Sequence, residues 1–276
     1  MVRLSNCIIS LINLIFLIFG ITGLSSGLYI HVHGLNHCQR LMQNPLLIMG
    51  VFFIVLSLIG LLGSFCKDNS LLMIYLALIF FLIVGLMAFT LFAFLVTHKY
   101  SGSSSVRPGL GFKEYRLQQF SKWLQIHVVN KYHWDRIKSC MVDAQVCKKF
   151  SLQTVNQNQA DFQKMKLTPI QSGCCKPPTS CNLEYQNATF WEVPVLELPM
   201  NNDTDCTTWN NNQDLLCYDC DSCKAGFLAK LRIDFRIFFI HTILIICFLM
   251  ITYFIGCCAR RSNKYRYVKY SPYISP

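Results

Sequence analysis

The chain has 276 residues, of which 53% are hydrophobic and only 14% charged, against roughly 25% charged in an average soluble domain; with a positive mean hydropathy this excludes an ordinary soluble protein and predicts a membrane protein. The formal net charge of +11 is spread over one polar segment and the tail, with no nucleic-acid-binding motif, so no nucleic-acid partner is expected. Fifteen cysteines are too many for an ordinary cytosolic protein, where thiols stay reduced.

Residues 1–6 form a short N-terminus. The first apolar run, 7–30, carries no charge and makes about 36 Å of helix at 1.5 Å per residue, enough to span a bilayer with some tilt. It exceeds the usual 7–15-residue core of a signal peptide, which favours a retained span. Residues 31–45 read as a short polar loop carrying Cys38. A second run follows at 46–66, a turn at 67–70 and a third run at 71–96. So short a turn makes spans two and three an antiparallel hairpin. The polar segment 97–236 precedes a fourth run, 237–259. All four runs exceed 18 residues, the threshold for a spanning helix. Arg260, Arg261, Lys264, Arg266 and Lys269 make 260–276 a basic tail without acidic residues. The positive-inside rule puts that tail in the cytoplasm, and four spans bring the N-terminus to the same side. Both loops then face outward. Two N-glycosylation acceptor patterns, at Asn187 and Asn202, fall in the long loop, consistent with that side being extracellular.

No Asp, Glu, Lys, Arg or Pro lies within the four runs. Asn13, in the first, is expected to bond across helices, because an unsatisfied amide in lipid is costly. Gly20, Gly23 and Gly27 recur at helical spacing in span one, as do Ser57, Gly60, Gly63 and Ser64 in span two. Such rows let backbones approach, so spans one and two are expected to pack along them.

In the long loop, 112–129 reads as an amphipathic helix with Tyr115, Phe120, Trp123, Leu124 and Val128 on its apolar side. Residues 134–147 read as another helix. Phe227, Leu228, Leu231 and Phe235 suggest that the fourth helix begins before its membrane portion. Between 169 and 223 the chain is rich in Pro, Asn and Cys and reads as loops held by bridges. Trp191, Val193, Leu196, Leu198 and Met200 form an apolar stretch whose expected use is the core of this domain, with an interface anchor as the other reading.

Nine cysteines lie in the loop: Cys140, Cys147, Cys174, Cys175, Cys181, Cys206, Cys217, Cys220 and Cys223. With Cys38 they make an even ten, predicting five disulfides, one of which ties the small loop to the large one. Adjacent Cys174 and Cys175 cannot easily bridge each other, so each must reach a different partner. Which partners they take is not fixed by spacing. The repeat Cys217-x-x-Cys220-x-x-Cys223 resembles metal or redox spacings, but outside the cell disulfides are the better reading. Cys7, Cys66, Cys257 and Cys258 lie at the inner ends of spans, a placement that suits S-palmitoylation. The adjoining basic tail should favour anionic lipids. Tyr265 to Val268 has the form of a tyrosine sorting signal, but so short a pattern is common and a solvated basic tail is the better reading.

No catalytic motif, cofactor site or metal-ligand set emerges: His127 and His133 lack a paired nucleophile. The expected fold is an all-α membrane protein, a four-transmembrane-helix bundle with a large, disulfide-stapled, mainly helical extracellular loop domain. No enzymatic activity is expected, and a small-molecule or ion transporter or channel is one reading of such a protein. Against transport stands the lack of charges and breaks within the spans.

Gly173-Cys174-Cys175-Lys176-Pro177, Pro178-Thr179-Ser180-Cys181 and Cys217-Tyr218-Asp219-Cys220-x-x-Cys223-Lys224-Ala225-Gly226 resemble the signatures of the tetraspanin family, and of its plant-type branch in particular. The animal form places a glycine after the Cys pair, whereas here Gly173 precedes it. The resemblance implies a cone-shaped bundle capped by the large loop. It also implies that one of Cys174 and Cys175 pairs with Cys181 and the other with a cysteine near span four, namely Cys217, Cys220 or Cys223. It implies a plasma-membrane scaffold or adaptor that binds partner membrane proteins laterally, other tetraspanins among them as homo- or hetero-oligomers. Such proteins organise membrane microdomains, and plant members are linked with cell differentiation and development.

Overall fold

The computed structural model describes residues 2–34, 37–66, 69–98, 110–154, 157–194 and 203–270. Helices α1 (Val2–His33), α2 (His37–Phe65) and α3 (Asn69–His98) come first, and α10 (Asp221–Tyr270) comes last. Each contains a stretch long and apolar enough to cross a membrane: Asn6–His33, Gln43–Phe65, Asn69–Thr97 and Asp221–Arg261. Between α3 and α10 lie α4 (Lys122–His127), α5 (Lys131–Asp143), α6 (Val146–Gln153), α7 (Gln159–Lys164), α8 (Pro169–Cys174), strands β1 (Glu184–Asn187) and β2 (Phe190–Glu192), and α9 (Thr204–Thr208). The chain divides into two compact units. One comprises 1–91 with 239–276, and the other 92–238.

In the first unit α1 and α2 meet along their small residues. A Cβ on Gly20 would fall 2.8 Å from Ile54, one on Gly27 2.9 Å from Leu47, and one on Gly50 2.6 Å from the Leu24 nitrogen. Only glycine permits that approach of two backbones. Asn13, fully buried, fits against Gly60 of α2. Its Nδ2 donates to the Ile9 carbonyl at 2.8 Å and to Tyr75 Oη of α3 at 3.0 Å. One amide thus serves its own helix and bridges to another. Ser10 donates to Ser64 Oγ at 2.9 Å, and Ser64 to the Asn6 carbonyl at 2.6 Å. Tyr75, Ile79 and Ile83 of α3 join Leu249 and Ala259 of α10 in the same core.

Some boundaries differ from the sequence reading. The segment 31–45, expected to be a loop, is helical to His33 and again from His37, with Pro45 inside α2. The single helix expected over 112–129 is broken. Phe120 is extended, and Ser121 starts α4 by accepting the Leu124 N–H. The helix expected over 134–147 starts at Lys131, capped by Asn130, and is interrupted at Gln145, whose φ of 53° is left-handed. Hydrophobic spacing continues through these points, but the Ser121 side chain caps a new helix start at the first, and the left-handed backbone of Gln145 breaks the helix at the second. In 169–223, expected to be loops, the chain forms α8, a hairpin and α9. The hairpin pairs Tyr185 with Trp191. Their rings, 5.2 Å apart, pack beside Phe162 and Phe150.

Candidate functional site

The centre of the second unit is the disulfide knot. Thr168 caps α8 through the Gln171 N–H, and Pro169 occupies its first turn, where its missing donor costs nothing. The helix ends in Cys174 and Cys175, both fully buried. Cys174 bonds Cys223 at the start of α10, and Cys175 bonds Cys147 on α6. Two separate excursions of chain are therefore pinned at one point. The sequence separations, 49 and 28 residues, correspond to about 4 kcal/mol each in the chain-entropy description. Cys217 bonds Cys220, only three residues on, which constrains far less chain and is worth about 2 kcal/mol in the same description. Cys38 and Cys140 also carry disulfides.

Cys181 corrects one expectation. It bonds Cys206 of α9, not Cys174 or Cys175. Beyond Cys175, Pro177 and Pro178 stiffen the exit and lead into a 3-10 turn, Thr179–Cys181. There Ser180 donates to Asp203 at the start of α9. Cys175 is left facing Cys147, which α6 carries against α8.

The two glycines of the motif segments explain themselves by geometry. A Cβ on Gly173 would run into the Ser222 carbonyl, and one on Gly226 into the Pro169 carbonyl. Gly226 also lies against the Cα of Gly173. Helices α8 and α10 therefore cross backbone to backbone, close enough for the Cys174–Cys223 bridge. Asp205 completes the junction. Buried beside α10, its carboxylate accepts the N–H groups of Asp221 at 2.7 Å and Ser222 at 2.8 Å, capping a long helix from another element. The Trp134 indole donates to the Tyr218 carbonyl at 3.0 Å.

Lys176, 1% exposed, pairs with Glu114 at 2.7 Å and lies 4.6 Å from the centre of the Phe112 ring. Glu114 also accepts from the Thr179 N–H at 3.0 Å and its hydroxyl at 2.7 Å. Burial works to raise the Glu114 pKa. The Lys176 charge and the bonds from Lys176 and Thr179 outweigh it and hold the carboxyl below its ordinary value. Sequence reasoning missed both Glu114 and Asp205; neither stands in a motif, and their partners lie 62 and 16 residues away. An open groove of about 770 Å³ runs past Glu114, Arg116, Gln118, Asp203, Thr204 and Asp221. Most of its carboxylates are engaged by the fold, and among the described residues no three His, Cys, Asp or Glu side chains converge as a metal centre would.

Asn187 is exposed on the hairpin, its Oδ1 accepting the Thr189 N–H. Asn202 lies outside the described residues, as do Leu196, Leu198 and Met200. Trp191 packs against the core, whereas Val193 is exposed. Cys7, Cys66 and Cys258 are exposed free thiols, and Cys257 is a partly buried one. Cys247, which the sequence reading did not single out, is free as well.

Four spanning helices with a cysteine-knotted lobe between the third and fourth define a multi-pass membrane protein built on a helical bundle. The tetraspanin family profile matches residues 5–259, and the chain belongs to that family. Among the proteins it is similar to are three of Arabidopsis thaliana. Tetraspanin-11 is 41% identical over 96% of this chain and 97% of its own length. Tetraspanin-8 is 39% identical over 96% and 95%, and Protein TORNADO 2 is 39% identical over 95% and 94%. No solved structure matches.

Proposed function

We propose that this protein is a non-enzymatic membrane adaptor that binds partner membrane proteins laterally, other tetraspanins included, and gathers them into microdomains of the plasma membrane. Family membership supports a scaffold role in general. The observation that carries the finer reading is the contrast around the β1–β2 hairpin. Its inner aromatic residues are locked to the knotted core, while Leu152, Phe190, Val193 and Leu215 stay exposed. The Thr189 hydroxyl donates to Ser151 Oγ and accepts from Gln213, and Asn211 donates to the Trp191 carbonyl. These bonds bring the exposed residues' segments to one rigid rim. Rigid apolar side chains lose little entropy on binding, which suits an interface. The reading further includes cytoplasmic termini, N-glycans at Asn187 and Asn202, acylation of Cys7, Cys66, Cys257 and Cys258, contact with membrane lipids, and a part in plant cell differentiation and development. The plant relatives support the last of these.

The test is co-purification in mild detergent from the protein's own cells, with the tail tagged. The parent is compared with a variant carrying Phe190→Ser, Val193→Ser and Leu215→Ser. Deleting 203–212 instead would remove Cys206 and the Asp205 cap and so damage the lobe itself. Loss of particular membrane proteins from the triple variant, delivered normally, supports the adaptor. An identical set from both variants overturns the assignment of the rim.

A further inference from the structure

Helix α4 has its polarity reversed with respect to the lobe it belongs to. Leu124 faces the core, and Gln125 turns inward to donate to the carbonyls of Leu117 at 2.9 Å and Phe120 at 2.8 Å. Trp123 and Ile126 turn outward, 41% and 60% exposed. A half-buried glutamine that turns inward beside an exposed tryptophan and isoleucine is the wrong way round for a face in water.

What lies against that outward face is a membrane-spanning helix. The Trp123 ring stands nearly perpendicular to Phe92 of α3 with centroids 5.3 Å apart, and the His127 ring stacks on it at 4.7 Å. Phe92 belongs to the apolar stretch Asn69–Thr97, whose middle residue is Ile83. At 1.5 Å per residue Phe92 lies roughly 13 Å from that middle, just inside the edge of a hydrocarbon core about 30 Å thick. The indole beside it therefore falls at the level where acyl chains meet headgroups. Tryptophan is enriched at that level, because its body is apolar and its N–H polar. Lys122 and His127, both exposed, bring polar groups to the same short helix, as an interfacial segment requires.

We propose that α4 is an interfacial membrane anchor: Trp123 and Ile126 insert into the lipid surface of the leaflet from which the C-terminal end of α3 emerges. The occupant is lipid rather than a partner protein, because the Trp123 ring stands against Phe92, a residue within the apolar membrane-spanning stretch of α3. The inference is independent of the partner-binding rim, which involves other residues.

The full chain would be reconstituted in nanodiscs of phosphatidylcholine brominated near the top of the acyl chains, and tryptophan emission compared with that in unbrominated discs. The parent should be quenched, and Trp123→Phe should lose most of that quenching, since of the other three tryptophans Trp134 is in the lobe core and Trp191 and Trp209 pack against it. Ile126→Glu, at an exposed position that leaves the core untouched, should red-shift the emission and reduce the quenching. Equal quenching of parent and Trp123→Phe overturns the proposal. Acrylamide then distinguishes a face open to water, where Trp123 is accessible, from one covered by protein, where neither quencher reaches it. An Ile126→Glu variant with unchanged emission overturns it as well.

Discussion

The two units of the chain solve the same problem, holding helices together, by opposite means. In the bundle unit the helices are bathed in hydrocarbon, so burying one more leucine gains little. Its cohesion comes from close approach at Gly20, Gly27, Gly50 and Gly60 and from a few polar bonds, those of Asn13 and Ser64 foremost. Among its described residues the loop unit has six α-helices before α10, the longest of them 13 residues, and several are too short to stand alone. It relies on disulfides, a buried ion pair and a cross-element helix cap. The lesson is that glycine serves both units, but for different purposes. In the bundle it admits a neighbouring helix, and in the lobe Gly173 and Gly226 bring two backbones within reach of a disulfide.

The comparison breaks first at the knot. Replacing Cys174 and Cys175 together by Ser removes two bridges of about 4 kcal/mol each in the chain-entropy description. The expected outcome is an unfolded lobe retained in the secretory pathway, seen as protease sensitivity between α3 and α10 with the bundle fragments intact. Normal delivery of a protease-resistant protein would show that the short helices hold without the knot.

Glu114→Gln comes next. It leaves the Lys176 ammonium buried without its carboxylate, at a cost of roughly 3–5 kcal/mol. Thermal unfolding in detergent micelles should show it, and adding Lys176→Met should recover part of the loss. The pH dependence has a definite sign. Because the folded Glu114 titrates below its ordinary 4.5, its contribution is fully present above that value and is lost as the pH falls through the lower folded one. The parent's stability should therefore drop in that acid window more steeply than that of the double variant.

Paired alanine substitutions sharpen the contrast over glycine. Gly226→Ala drives a Cβ into the Pro169 carbonyl and should cost about 1–3 kcal/mol through backbone displacement. Gly85→Ala, in α3 with nothing within 4 Å of the new atom, should raise helix stability by at most about 1 kcal/mol. The two melting shifts should have opposite signs. The smallest effect is expected from Asn13→Leu in the bundle. Membrane hydrogen bonds average about 0.6 kcal/mol, so it should lower the melting temperature only slightly, whereas Asn13→Asp should do so strongly by placing a charge in the bundle.

Residue type and order alone determined the four spans, the existence of a cysteine branch point, the meeting of α1 and α2 along small residues, and the need of Asn13 for a partner. Each follows from a quantity local to the chain: the hydropathy of a run, the geometry of neighbouring cysteines, the helical repeat. Tertiary structure decided what depends on contacts across long separations. It set Cys181 against Cys206, Glu114 against Lys176 and Asp205 under the start of α10. It also ended helices at Ser121 and Gln145, where apolar spacing runs on, and turned Trp123 outward although its spacing matched a core face. A repeat of apolar residues shows that a face exists. Whether that face meets a core, a partner or lipid is settled only by what the rest of the chain places beside it, and for Trp123 that neighbour is Phe92 of a membrane-spanning helix.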